Sequence, residues 1–302
     1  MRGGRAVNNS DQPLPRLRLA EERGPEDLAQ ALGREKRAEQ LAREDRLEKA
    51  LGDFKVGSVP YLNAVPLTRG LEHEIVLLPP SELARQLRAG QLDAGLVSVT
   101  EVLFHPGFDV LDGIAIASLG EVKSVFLAHR VPRSEIKTVY CDPASLTSVR
   151  LLEVLFAEEG LRPALVPLPG YDQVSNLDAV LLIGDEAIRF LLSKPAHEIW
   201  DLGAAWYELT RLPFVYAVWA LTRRRDTREL RRALREARDF GLETLDYLIA
   251  SRPEFTLDFR KDYLGWHIHF HLGQDEKRGL ARFIELLRKH QTVPVLDPVF
   301  VK

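Results

Sequence analysis

From Phe54 onward, short apolar runs alternate with amphipathic helical patterns, and this alternation constrains the fold more than any other feature of the chain. Apolar, β-rich stretches at 74–78, 94–99, 113–118 and 122–128 read as strands, while 81–89 opens on Ser81 as an N-cap candidate and stops at Gly90 like a helix. A second series follows, with strands expected at 138–141, 164–167, 179–183 and 198–201 and helices at 147–158 and 186–192. Strands separated by helices build α/β layers around a parallel sheet. Two series predict two lobes. The apolar, β-rich run 212–222 is long enough to leave the second lobe and cross back, so that the C-terminal helices complete the first.

Within the first series, Val56-Gly57-Ser58-Val59-Pro60-Tyr61-Leu62-Asn63-Ala64-Val65-Pro66-Leu67 ends a β-type run in small and polar residues. Val56 and Val59 suit a strand, Pro60 removes a backbone donor, and the residue before each proline is biased to extended geometry. Ser58, Tyr61 and Asn63 therefore gather at a strand's carboxyl end, where open α/β sheets bind small molecules. Ser98 and Thr100 mark a second polar strand end. Ser145-Leu146-Thr147-Ser148-Val149 precedes the helical pattern Leu151, Leu152, Val154, Leu155. Hydroxyls and unsatisfied N–H groups at such a helix start hold a carboxylate without a dedicated cation. Each segment also has a plain reading, as a turn, a strand exit or a helix cap. Gly184-Asp185-Glu186 sets a carboxylate either in a cleft or at a helix cap, and Tyr216 and Trp219 either stack on a ligand ring or pack between lobes.

The segment 57–67 is followed in order by Asp142-Pro143-Ala144-Ser145-Leu146-Thr147-Ser148-Val149, Leu182-Ile183-Gly184-Asp185-Glu186-Ala187, Asp201-Leu202-Gly203 with Trp206, and Leu212-Pro213-Phe214-Val215-Tyr216-Ala217-Val218-Trp219. Together, from about Phe54 to the C-terminus, these resemble the chorismate dehydratase family of the futalosine route to menaquinone. The resemblance implies an α/β, two-lobed type II periplasmic-binding-protein-like fold with the ligand cleft between lobes. Residues 54–128 with 217–302 would form lobe 1, and 129–216 lobe 2. It further implies a cofactor-free lyase that converts chorismate to 3-[(1-carboxyvinyl)oxy]benzoate and water. Asn63 is then the expected catalytic orienter or oxyanion donor, and Thr147 and Ser148, with Ser145, bind a carboxylate. Ser58, Tyr61, Ser98, Thr100, Gly184 and Tyr216 surround them. The base is either the substrate's own enolpyruvyl carboxylate or Asp185. The family often carries arginine where Leu146 stands, so any role of that side chain does not transfer. Fold alone does not imply a reaction. A non-catalytic small-acid binding protein is one alternative; another is 1,4-dihydroxy-6-naphthoate synthase of the same pathway, which opens on a Ser-Pro-Cys-Pro-Asn-Asp-type motif.

The 302 residues, 45% hydrophobic and 28% charged, suffice for two lobes with cores of their own. A net charge of -3 gives no global pull toward nucleic acid, and the arginine-rich stretch 223–238 is interleaved with Asp and Glu like a solvated helix face. No apolar run approaches the roughly 20 residues of a membrane span, and the N-terminus lacks the apolar core of a secretory signal, which together predict a cytoplasmic protein without membrane contact. The lone Cys141 fits a reducing compartment and reads as a small core residue rather than a nucleophile. Neither a P-loop nor a dinucleotide fingerprint is present, so no cofactor is expected. His267-Ile268-His269-Phe270-His271 aligns all three imidazoles if extended and two if helical, but without a supporting carboxylate pattern no metal is expected.

Residues 1–53 are densely charged, with acidic and basic side chains in equal number. Leu28, Leu32, Ala38, Leu41, Ala42 and Leu47 form a broken apolar stripe that promises little core. Three readings stand: a flexible or marginally helical tail, an oligomerisation helix that makes a homodimer, and an over-extended start.

Overall fold

The computed structural model describes residues 25–291 and 293–302. The chain divides between Arg46 and Leu47 into two units. Helix α1 (Pro25–Leu47), 23 residues long, accounts for the described part of the first and ends on the first residue of the second, so the N-terminal stripe forms a helix. No helix among the described residues is long and apolar enough to cross a membrane.

The second unit holds two sheets. The first is entered by β1 (Val56–Ser58), β2 (Ile75–Leu77), α2 (Pro80–Arg88), β3 (Ala94–Ser98), α3 (Val99–Phe104) and β4 (Phe108–Ser118). The chain then builds β5 (Val125–His129), β6 (Thr138–Cys141), α4 (Thr147–Glu158), β7 (Ala164–Pro167), β8 (Ala179–Ile183), α5 (Gly184–Leu192), β9 (Glu198–Asp201) and α6 (Leu202–Thr210). It closes with β10 (Phe214–Thr222), α7 (Arg228–Glu243), α8 (Leu245–Ser251), α9 (Leu257–Asp262), α10 (Gln274–His290) and β11 (Phe300–Val301). The six-stranded sheet has the order β11-β4-β10-β3-β1-β2, and the five-stranded sheet β7-β6-β8-β5-β9.

Each sheet is parallel except for one strand. β10 runs antiparallel to both β3 and β4, and β5 antiparallel to both β8 and β9. These are the first strands after each crossing between sheets. A chain that leaves the carboxyl ends of one sheet and enters the other from its carboxyl ends must run backwards there. The two reversed strands thus show that the carboxyl ends of both sheets meet at one seam, the place where α/β sheets bind ligands. Strand β5 lies wholly in the second sheet and β10 wholly in the first, which puts the crossings in 119–124 and 211–213, a few residues before 128/129 and 216/217.

Two cap readings change, and a third cap has no counterpart in the sequence reading. Pro79, not Ser81, precedes α2, with Pro80 in its first turn, where a missing amide costs nothing. Ile183 holds the cap position of α5, and Asp185 makes no cap bond. Asp201 does cap α6, accepting the Ala204 amide at 2.9 Å, and it also accepts the Lys123 amide at 2.7 Å, so one carboxylate ties a helix start to the first crossing. The main core also reaches further back than the stripe suggested, because Leu47 and Leu51 are 2% and 1% exposed within it.

Candidate active site

At the seam lies a cavity of about 70 Å³ whose wall comes from both lobes. The first lobe supplies Val59, Tyr61, Asn63, Ser98 and Tyr216, the second Leu146, Thr147, Ser148 and Gly184, and the first crossing Ser124. Metabolite sites are typically about 300–1,000 Å³, so a metabolite-sized ligand enters only if the wall opens. A groove of about 700 Å³ adjoins it, lined by Arg88, Thr100, Glu101, Ser145 and Arg150. Size alone would favour the groove. Its Arg88, however, is already neutralised by both oxygens of Glu101, at 2.6 and 2.8 Å, whereas the smaller cavity is walled by both lobes and holds the unpaired Asn63 Oδ1.

Asn63 stands in the 3-10 turn Leu62–Leu67 that follows the proline-ended strand. Its side-chain amide donates to the Tyr263 hydroxyl at 3.2 Å, and Tyr263 donates to Ser124 Oγ at 2.8 Å. Asn63 Oδ1 is buried without a partner. Such an atom costs roughly 1–3 kcal/mol when left unpaired, a cost that a ligand donor removes. Tyr263 and Ser124 were invisible as site residues in the sequence: Ser124 sits in a crossing and Tyr263 in a distant π-type turn, Tyr263–His267, with no motif around it.

The start of α4 brings Thr147 and Ser148 to the cavity, and no side chain caps it. Its first amides keep the unsatisfied donors that every helix start carries. The Thr147 hydroxyl also serves the fold: it accepts the Thr100 amide at 3.3 Å and lies 3.2 Å from the Thr100 hydroxyl. That contact separates cavity from groove. Thr100 and Ser145 therefore line the groove and not the cavity, with Ser145 Oγ buried and unpaired. Ser58 is fully buried behind the wall, and Trp219 is fully buried in the first-lobe core.

Gly184 answers a close approach. Its φ of +61° is left-handed, and a Cβ there would sit 3.1 Å from the Tyr61 ring. Gly203 is equally confined, since a Cβ would lie 2.8 Å from both the Tyr216 hydroxyl and Ser118 Oγ. Tyr216 donates to Ser118 Oγ at 3.1 Å, and Ser118 passes the bond on to the Gly120 carbonyl.

Among the described residues, the cavity wall carries no formal charge: it contains no Asp, Glu, His, Lys, Arg or Cys. Burial, with Asp142, Asp185 and Glu186 adding to it, pushes the Tyr61 hydroxyl up, and burial does the same for Tyr216 and Tyr263. All three phenols stay protonated near neutrality and act as donors. Asp185 lies outside the wall: its Oδ1 accepts the Leu62 amide at 3.2 Å, and burial raises its carboxyl. Cys141 is a buried thiol pushed up to about 12 by burial first, so it remains protonated in the core, as the sequence indicated.

The family model described as menaquinone biosynthesis matches residues 54–289. A chorismate dehydratase of Thermus thermophilus is 33% identical over 258 residues, covering 78% of this chain and 95% of that protein. One of Campylobacter jejuni is 25% identical, covering 74% of this chain and 89% of that protein. Among solved structures, protein AF1704 of Archaeoglobus fulgidus has a TM-score of 0.62 at 18% identity, covering 78% of this chain and 97% of that one. The alkanesulfonate-binding protein SsuA of Xanthomonas axonopodis, bound to MOPS, has a TM-score of 0.55 at 15% identity, covering 80% and 94%. These likenesses place the two-lobed architecture with the periplasmic-binding-protein-like folds, as the sequence resemblance implied. The chain belongs to the menaquinone-biosynthesis family.

Proposed function

We propose that this protein is a lyase that dehydrates chorismate to 3-[(1-carboxyvinyl)oxy]benzoate in the futalosine route to menaquinone. The relatives that cover nearly all of their own length against this chain are chorismate dehydratases. The observation that carries the mechanism is the cavity wall, which offers hydroxyls, amides and phenols but no ionisable base other than phenol.

The proton on the ring carbon bearing the enolpyruvyl ether is vinylogous to the ring carboxylate. Removing it leaves an electron pair delocalised into that carboxylate. The pair then forms a ring double bond as the neighbouring C–O bond breaks, and the departing hydroxide leaves as water with the abstracted proton. Aromatisation supplies most of the driving force. With no side-chain base on the wall, the substrate's enolpyruvyl carboxylate takes the proton, and the protein orients the two groups. The start of α4, with Thr147 and Ser148, holds a carboxylate. Asn63, anchored by Tyr263, offers its unpaired Oδ1 and remaining N–H to the reacting face. Tyr61, Ser98, Gly184 and Tyr216 shape the pocket, while Ser58, Thr100 and Ser145 support it from behind or from the adjoining groove. The lone buried thiol suits a cytoplasmic setting.

Purified protein incubated with chorismate should consume it and release the aromatic product, followed by absorbance and mass spectrometry. Saturable binding of chorismate without turnover would reassign the chain as a small-acid binding protein.

A further inference from the structure

The three histidines that follow the π-type turn are sorted by the fold. His267 turns to other partners, with Nδ1 2.8 Å from the Glu121 carbonyl and Nε2 3.3 Å from the Asp262 carboxylate. His269 and His271 stack with ring centroids 5.2 Å apart at 17°, as alternate residues of an extended segment do. Glu276, in the first turn of α10, faces both. Its Oε1 lies 3.6 Å from His269 Nδ1 and 3.1 Å from His271 Nε2, and its Oε2 accepts the Gly273 amide at 2.9 Å. The missing carboxylate of the sequence pattern thus comes from the next helix.

Two further observations point to an ion between these groups. A tetrahedral ion with N and O ligands at about 2.0–2.2 Å sets its ligand atoms roughly 3.3–3.6 Å apart. Glu276 Oε1 lies 3.6 and 3.1 Å from the two imidazole nitrogens, and all three atoms fall within 4.8 Å of one another, so small side-chain shifts bring them to that geometry. His269 Nδ1 is buried without a hydrogen-bond partner, and Glu276 is only 3% exposed. A simple ion pair between His271 and Glu276 would account for the carboxylate but leave that nitrogen orphaned.

We propose that His269 Nδ1, His271 Nε2 and Glu276 Oε1 form a binding site for a divalent transition-metal ion of the zinc class, completed by water on the exposed His271 side. The ion is structural. His269 pairs with Ala117 in both directions, N–H to carbonyl at 2.8 and 2.9 Å, so the site joins α10 to the cavity end of β4. It also fixes the chain immediately after Tyr263, the anchor of Asn63. None of the three residues lines the cavity, so the ion supports the site and does not touch substrate.

The test uses untagged full-length protein stripped with chelator and titrated with Zn²⁺ by calorimetry and with Co²⁺ by visible absorption. One equivalent should bind, Co²⁺ should give the intense bands of tetrahedral coordination, and Zn²⁺ should raise the thermal midpoint. His271→Ala, an exposed change that leaves the fold intact, and His269→Ala should each weaken binding at least tenfold and abolish the thermal shift. His290→Ala, at a histidine paired with Glu158 elsewhere, should change nothing. Less than a tenth of an equivalent bound by the wild type, or undiminished affinity in folded His271→Ala protein, overturns the proposal. Turnover of chorismate is measured separately, and its loss or retention bears on the proposed reaction and not on the metal.

Discussion

Asn63 and Tyr263 stand 200 positions apart in the chain, yet the amide of one donates to the phenol of the other at 3.2 Å. Because Tyr263 spends its own proton on Ser124, the bond can run only from Asn63 to Tyr263, which fixes which end of the amide is spare. The spare Oδ1 faces a buried space with no protein donor to meet it. In the proposed reaction that oxygen meets a hydroxyl of the substrate.

Asn63→Asp is nearly isosteric but removes both amide donors and puts a negative charge beside a substrate with two carboxylates. Losing one preorganised donor of this kind costs about 10²–10³ in kcat. The variant should fold normally, turn over chorismate at no more than about a hundredth of the wild-type rate, and retain some unreacted substrate if binding survives. Wild-type kcat in a homogeneous preparation removes Asn63 from the mechanism.

Tyr263→Phe separates positioning from contact. The variant keeps the ring stacked on Phe259 but frees the Asn63 amide to rotate. The expected loss is smaller than for Asn63→Asp, roughly tenfold in kcat with KM little changed, or about 1.4 kcal/mol of transition-state stabilisation. Equal losses in the two variants would mean that Tyr263 itself meets the substrate.

The seam was legible in the sequence because proline-ended strands and hydroxyl-rich helix starts announce strand tips one at a time. What could not be read was which tips meet. Thr100 and Thr147 both read as ligand contacts, but they bond to each other and divide the cavity from its neighbouring groove. Ser58 has the right residue type at the right strand but is fully buried and stands outside the cavity wall. Tyr263 carries no local signal at all, since its role exists only once α9 and the turn after it fold over the first crossing. Glu276 escaped for the same reason: its histidine partners precede it in another element.

The helix-start site needs two different substitutions. Thr147→Ala would orphan the Thr100 amide, so its effect mixes folding with binding. Ser148→Ala is the cleaner probe and should weaken product binding by roughly 1.5–3 kcal/mol, the worth of a hydrogen bond to a charged group. Thr147→Ser keeps the hydroxyl and should bind as the wild type does. Calorimetry with the aromatic product checks both, and unchanged Kd in Ser148→Ala would move the carboxylate site elsewhere.

Asp185 gives a pH signature. Burial, the largest influence, raises its carboxyl above the ordinary range despite the Leu62 amide and the nearby Arg189. A raised acid in the folded state favours folding when protonated, so its contribution is complete below the unfolded carboxylate range and is lost as pH rises through the folded value. Asp185→Asn keeps an oxygen for the Leu62 amide and escapes that loss. Its stability advantage over the wild type, from urea midpoints, should therefore widen from about pH 4 toward neutrality. Turnover should stay near normal if the substrate supplies the base. A hundredfold fall in kcat would instead make Asp185 the base, and a gap constant with pH would contradict its raised carboxyl.

Truncation locates where the catalytic unit begins. The charged segment 1–53 looks dispensable as a whole, but Leu47 and Leu51 are buried in the main core, and Arg225 lies over the Phe54 ring at 4.0 Å. The Ala50 and Phe54 amides bond back to the Leu47 and Leu51 carbonyls at 2.9 Å, so these residues form part of the folded entry to β1. Deleting 1–46 should leave kcat/KM within about threefold of the full chain, because the loss in transition-state stabilisation is then well under 1.4 kcal/mol. Deleting 1–51 removes two buried leucines worth roughly 1.5–3 kcal/mol each, a large part of a total stability of about 5–15 kcal/mol. That protein should melt many degrees lower while retaining activity at low temperature. Equal thermal midpoints for the two truncations would show that the core closes without Leu47 and Leu51. A tenfold loss of kcat/KM on removing 1–46 alone would instead give the N-terminal helix a part in the reaction.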